Sequence, residues 1–103
     1  MSDMVVVRVS HYWPPLGGIN CLSFINGICM SNMASGEPWQ PWVGSAAACP
    51  PEWPFWTRFM LTGGEWFTCL DRGGAIIDNW VDLLVEVPPV PFGTEMDVKV
   101  LWR

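Results

Sequence analysis

Ten prolines and ten glycines are scattered through a chain of 103 residues, and this punctuation constrains the fold more than any other feature. Proline fixes φ and removes a backbone donor, and glycine supplies tight turns, so together they cut the chain into short segments with little room for long helices. The segment closest to helical, Ala75 to Val87, allows a turn or two at most. What remains between the breaks reads as strand. Met4 to Val9 is β-branched and unbroken, and Ala46 to Cys49 is a short run of small residues ended by Pro50-Pro51. Thr57 to Leu61 and Trp66 to Leu70 flank a Thr62-Gly63-Gly64-Glu65 hairpin turn. Trp80 to Leu84 follows, then Glu95 to Leu101, where Met96, Val98 and Val100 alternate with Glu95, Asp97 and Lys99. About six short strands in a chain of this length predict one all-β domain over residues 1–103, a closed barrel or sandwich with irregular Pro-, Gly- and Trp-rich loops.

An internal echo refines this. Trp53-Pro54-Phe55-Trp56-Thr57-Arg58 and Val90-Pro91-Phe92-Gly93-Thr94-Glu95 share the pattern apolar-Pro-Phe-x-Thr, and each leads into a strand. Two copies of one supersecondary unit imply a pseudo-symmetric fold.

Half of the residues are hydrophobic and 15% are charged, which excludes a disordered chain. With a formal net charge of -5 and only four Arg and one Lys, the chain has no electrostatic footprint for nucleic acid and no polybasic patch for an anionic membrane. The apolar runs fall far short of the ~20 residues that a spanning helix needs, so no membrane insertion is expected. Met1-Ser2-Asp3-Met4 lacks the basic and apolar regions of a secretory signal. An extracellular or cell-envelope location then requires a signal that has been removed, or release by lysis or within a phage virion.

Four cysteines in a short chain fit two disulfides, with three connectivities open. Cys21 and Cys29 flank an Asn26-Gly27 turn signal, so a local bridge there, leaving Cys49 with Cys69, is the first choice. Buried free thiols are the alternative. No Cys-x-x-Cys spacing occurs and there is a single histidine, so neither a metal site nor a cofactor is expected. His11 reads as a cleft-lining or surface residue. A triad with Ser35 or Ser45 has no nucleophile elbow behind it. Gly73-Gly74 is not followed by the Lys-Ser/Thr of a phosphate cradle.

Asp71-Arg72-Gly73-Gly74-Ala75-Ile76, followed by Trp80-Val81-Asp82-Leu83, resembles the D-x-GGAI…x-x-DL core of the three-aspartate (3D) domain family. Met33-Ala34-Ser35-Gly36 is similar to that family's T-A-S-G. Ala47-Ala48-Cys49-Pro50 is similar to its A-V-D-P, and Trp53 to Arg58 to its I-P-x-G-T-x segment. The resemblance runs from about Tyr12 to Leu101. It implies a six-stranded double-psi β-barrel, related to lytic transglycosylases of the A type and more distantly to rare lipoprotein A, expansins and family 45 endoglucanases. Two of the three family aspartates are present, as Asp71 and Asp82, and Cys49 stands in place of the first. Trp56 stands where Gly is usual and Met33 where Thr is usual.

The resemblance assigns Asp82 the role of general acid/base in glycosidic cleavage, with Asp71 in support. The simpler roles are a turn residue for Asp71 and a strand-end carboxylate paired with Arg72 or Arg58 for Asp82. Tyr12, Ser35 and the loop tryptophans Trp13, Trp39, Trp42 and Trp56 are candidates for substrate contact, because a flat aromatic face complements the C–H face of a pyranose. Trp66 and Trp80 read as core. The expected partner is a polysaccharide, peptidoglycan or a β-glucan. The expected function is cleavage of a β-1,4-linked glycan, or alternatively non-catalytic glycan binding or a structural role in a virion or surface assembly. The sequence does not fix the oligomeric state.

Overall fold

The computed structural model describes residues 2–21 and 23–103 and is all-β. Eight strands occur among them: β1 Ser2–Tyr12, β2 Phe24–Ile25, β3 Ile28–Cys29, β4 Ala46–Ala48, β5 Arg58–Met60, β6 Trp66–Asp71, β7 Trp80–Leu84 and β8 Thr94–Leu101. The helical content is three single 3-10 turns, each built on Pro or Gly. Six strands close a barrel in the order β1-β7-β4-β6-β5-β8, and β2 and β3 form a separate hairpin.

The barrel consists of two interlocked halves. β1 and β7 are parallel, as are β4 and β6, and the remaining neighbours are antiparallel. Exchanging β1, β4 and β5 for β6, β7 and β8 returns the same pairing diagram. The backbone repeats this symmetry in detail. Trp56 N–H donates to Cys69 O at 2.9 Å, and Gly93 N–H donates to Val9 O at 2.7 Å. Thr57 N–H bonds Pro54 O and Thr94 N–H bonds Pro91 O, at 3.2 and 3.1 Å. Trp56 and Gly93 both adopt positive φ, 74° and 83°. The echo in the sequence is therefore a repeated loop that carries the chain across the barrel into β5 and β8.

Strand alternation fills the interior. Val7, Val9, Ala47, Phe59, Phe67, Val81, Leu83, Val98 and Val100 are buried together around the Cys49–Cys69 disulfide. Phe59 packs between Trp53 and Phe67, each ring centroid 5.9 Å away. Burial of one such ring contributes about 1.5–3 kcal/mol. The outward positions Ala46, Leu70 and Leu84 form a second cluster with Met33, Tyr12, Trp39 and Trp42. This cluster pins the long segment between β1 and β4 to the outside of the barrel wall.

Both disulfides take the expected pairing, Cys21–Cys29 and Cys49–Cys69. Asn26 and Gly27, with φ of 51° and 77°, turn the β2–β3 hairpin inside the first bridge. Ala75 to Val87 contains no helix. Two elements differ from expectation. β1 runs on to Tyr12, because His11 and Tyr12 pair with Leu83 and Leu84 of β7. Trp66 is 39% exposed rather than core, since it sits on the outward face of β6 with the Arg58 guanidinium 5.6 Å from its ring centre. Trp80 is half-buried beside Phe92.

Candidate functional site

Asp71 and Asp82 line one cleft of about 290 Å³ on the outer wall of the barrel, between β1, β7, β4 and β6 and the segment that crosses them. Each side chain reaches the cleft for a different local reason. In β7, Val81 and Leu83 face the interior, so Asp82 faces out by simple alternation. In β6, Cys69 faces the interior, and alternation would send Asp71 inward as well. The β4–β6 register slips at this point, pairing Ala47 with Cys69 but Ala48 with Asp71. The extra residue is a β-bulge that re-aims Asp71 to the outer face.

Ala48 is the register partner of both aspartates, Asp82 on one side and Asp71 on the other. Two strand spacings place their backbones roughly 10 Å apart. The residue between them carries only a methyl group, so the floor of the cleft stays open between the two carboxyls.

The carboxyls differ in environment. Asp71 Oδ2 accepts from Tyr12 Oη at 2.8 Å, and its Oδ1 accepts from the backbone N–H groups of Ala34 at 2.9 Å and Arg72 at 2.8 Å. Three donors hold it rigidly, and one of them, Ala34, belongs to the Met33-Ala34-Ser35-Gly36 segment. Asp82 accepts one side-chain hydrogen bond, from Ser10 Oγ to Oδ1 at 2.8 Å. Burial pushes the Asp82 carboxyl above its ordinary value. The Ser10 bond and nearby His11 pull it back, and Asp71 pushes it further up. Burial, then the charge of Asp71 and the bond to it, raises the Tyr12 phenol, which remains a neutral donor. The cleft thus holds one carboxyl fixed as an acceptor by three donors and one whose pKa burial raises.

Arg72 does not neutralise Asp82. Its guanidinium donates to Trp53 O at 2.6 Å and Asp71 O at 3.2 Å, and lies 4.0 Å from the centre of the Phe55 ring. Burial lowers its pKa. Arg58 lies over Trp66, so among the described residues neither arginine pairs with Asp82.

The aromatic candidates divide into two edge-to-face pairs, Trp13 with Trp39 and Trp42 with Trp56, each with centroids 5.8 Å apart. Trp39 borders a small annex that shares Tyr12 and Asp71 with the main cleft. Trp13, Trp42 and Trp56 do not line the cleft. Ser35 is a turn residue: its N–H bonds Leu70 O at 3.0 Å and its hydroxyl accepts from Glu37 N–H. His11 packs edge-on to Phe92. Asn32 and Ala48 line the cleft and Ser10 bonds Asp82, and none of the three carries a functional signal in the sequence motifs. For Ser10 the one available signal is its position, two residues before Tyr12 on the outward face of β1. No cluster of three or more potential metal ligands occurs among the described residues.

Comparison of the chain with family models, with curated proteins and with solved structures finds no match.

Proposed function

We propose that the chain is a double-psi barrel of the three-aspartate type that cleaves a β-1,4-linked glycan, peptidoglycan before cellulose. The observation that carries this reading is the shared cleft, in which a largely buried Asp82 with a raised pKa faces an Asp71 held by three donors across the methyl group of Ala48. The exchange symmetry of the two barrel halves and the order of the sequence motifs support the family resemblance. In this mechanism Asp82 donates its proton to the glycosidic oxygen as the C1–O bond breaks. The resulting carboxylate then takes a proton from a hydroxyl of the same sugar, whose oxygen closes onto C1 to give an anhydro ring. One acid suffices, and it ends reprotonated. Asp71 acts through charge and position, since positive charge develops at C1.

A second reading is favoured by one observation: the position of the first family aspartate holds Cys49, buried and bridged to Cys69. In that reading the barrel binds glycan without cutting it. Incubation with purified cell-wall sacculi separates the two. Loss of turbidity and release of soluble fragments support cleavage, and sedimentation of the protein with intact sacculi supports binding alone. The two disulfides are compatible with an extracellular location.

A further inference from the structure

The geometry points to a second functional surface: the disulfide-closed lobe of residues 14–31 docks onto the uncharged interfacial region of a lipid bilayer. Charge distribution carries the inference first. No Asp, Glu, Lys or Arg lies between Arg8 and Glu37, so all fifteen charged side chains (five basic, ten acidic) fall outside residues 9–36. Within that stretch Leu16, Ile19, Phe24, Ile25, Ile28 and Met30 are exposed. They belong to one body. Ile25 and Ile28 are register partners across the β2–β3 hairpin, 56% and 58% exposed. The Phe24 ring lies over Gly17, 3.5 Å from where a Cβ would stand, and joins the hairpin to the Leu16 turn. The Cys21–Cys29 bridge closes the lobe. So many contiguous exposed apolar side chains on one lobe mark an interaction site rather than surface scatter.

The layering selects the partner. Trp39 Nε1 donates to Cys29 O at 3.3 Å at the foot of the hairpin, and Trp13 packs edge-on against Trp39. Aliphatic side chains thus form the tip and half-buried indoles the base, the order that a bilayer interface favours. A protein interface would normally surround its apolar centre with a rim that includes charged residues, and the lobe itself contributes none, its polar side chains being the uncharged Asn20, Ser23, Asn26 and Ser31. The net charge of -5 opposes anionic lipid, whereas a zwitterionic surface presents no such repulsion. No helix among the described residues is long and apolar enough to cross a membrane. The proposed contact is therefore placed at the surface, where a short apolar lobe can seat in the interface. Ile19, Asn20 and Cys21 also line the cleft, so docking would hold the cleft against the membrane.

The test is co-sedimentation of the intact chain with phosphatidylcholine vesicles, with vesicles containing phosphatidylglycerol in parallel. Light scattering after gel filtration reports oligomeric state, and a thermal melt confirms that each variant is folded. The wild type should pellet with phosphatidylcholine, with its Trp emission shifted to the blue and its affinity nearly unchanged between low and high salt. Ile28→Asp should melt like the wild type and bind about tenfold or more weakly, whereas Ile28→Leu should bind like the wild type. Failure to pellet with either vesicle, binding only to anionic vesicles, or unchanged binding by Ile28→Asp overturns the inference. So does a dimer that Ile28→Asp converts to monomer, which would make a second copy the partner. None of these readouts uses glycan cleavage.

Discussion

Ser10 donates its hydroxyl hydrogen to Oδ1 of Asp82 at 2.8 Å, and the two residues are register partners across the parallel pair β1 and β7. The bond stabilises the ionised carboxyl and opposes the upward push of burial. Ser10→Ala removes the donor and leaves the burial. The Asp82 pKa should therefore rise further in Ser10→Ala, measured by NMR titration of the labelled side-chain carboxyl. A fall or no change would show that this bond does not tune the acid.

The same group links stability to pH. The folded-state pKa of Asp82 lies above its unfolded value, because burial penalises the charge. Its contribution is thus favourable below the unfolded pKa and is lost as pH rises through the folded one. Asp82→Asn carries no charge and keeps an acceptor for Ser10. It should melt a few degrees above the wild type at neutral pH, with the difference vanishing below about pH 4. Thermal melts of both proteins across that range check the sign.

The two disulfides should differ in weight. They join residues 8 and 20 apart in sequence. Loop-closure entropy gives about 2.5 kcal/mol for the shorter loop and about 3.3 kcal/mol for the longer. Cys49 and Cys69 also fill the barrel interior, so their loss adds a packing cost. Replacing both Cys49 and Cys69 by Ala should lower the melting temperature by on the order of 15 °C. Replacing Cys21 and Cys29 should lower it less.

Gly93 tests the interlocked loops. Its φ is 83° and nothing lies within 4 Å of where a Cβ would stand, so Gly93→Ala changes conformational strain and little else. A cost of about 1 kcal/mol is expected in urea unfolding with an unchanged slope. Trp56 accepts the same backbone geometry at the equivalent loop, where its ring packs edge-on to Trp42.

Much of this architecture was legible in the sequence because local rules dominate it. The alternation of Met96, Val98 and Val100, the Gly63-Gly64 turn and the Asn26-Gly27 turn each state their own structure, and the doubled Pro-Phe-x-Thr pattern announces the two halves. The parts that were not legible are set at long range. Tyr12 joins β1 only because β7 lies beside it, and Trp66 faces outward because of the register of β6 against β5. The bulge that turns Asp71 into the cleft is a property of the pairing between β4 and β6. Asp71 and Asp82 could be picked out as residues from the motif, but their donors Ser10 and Ala34 come from segments 72 and 37 residues away.

The proposed role of Asp82 is that of the acid in a glycan-cleaving cleft. Its most direct test is mass spectrometry of the soluble products after wild type and Asp82→Asn are incubated separately with purified peptidoglycan, with β-1,4-glucan and chitin oligomers in parallel. Anhydro-ended fragments from the wild type, absent with a folded Asp82→Asn, are the predicted result. No product from any substrate, or equal product from Asp82→Asn, would contradict it.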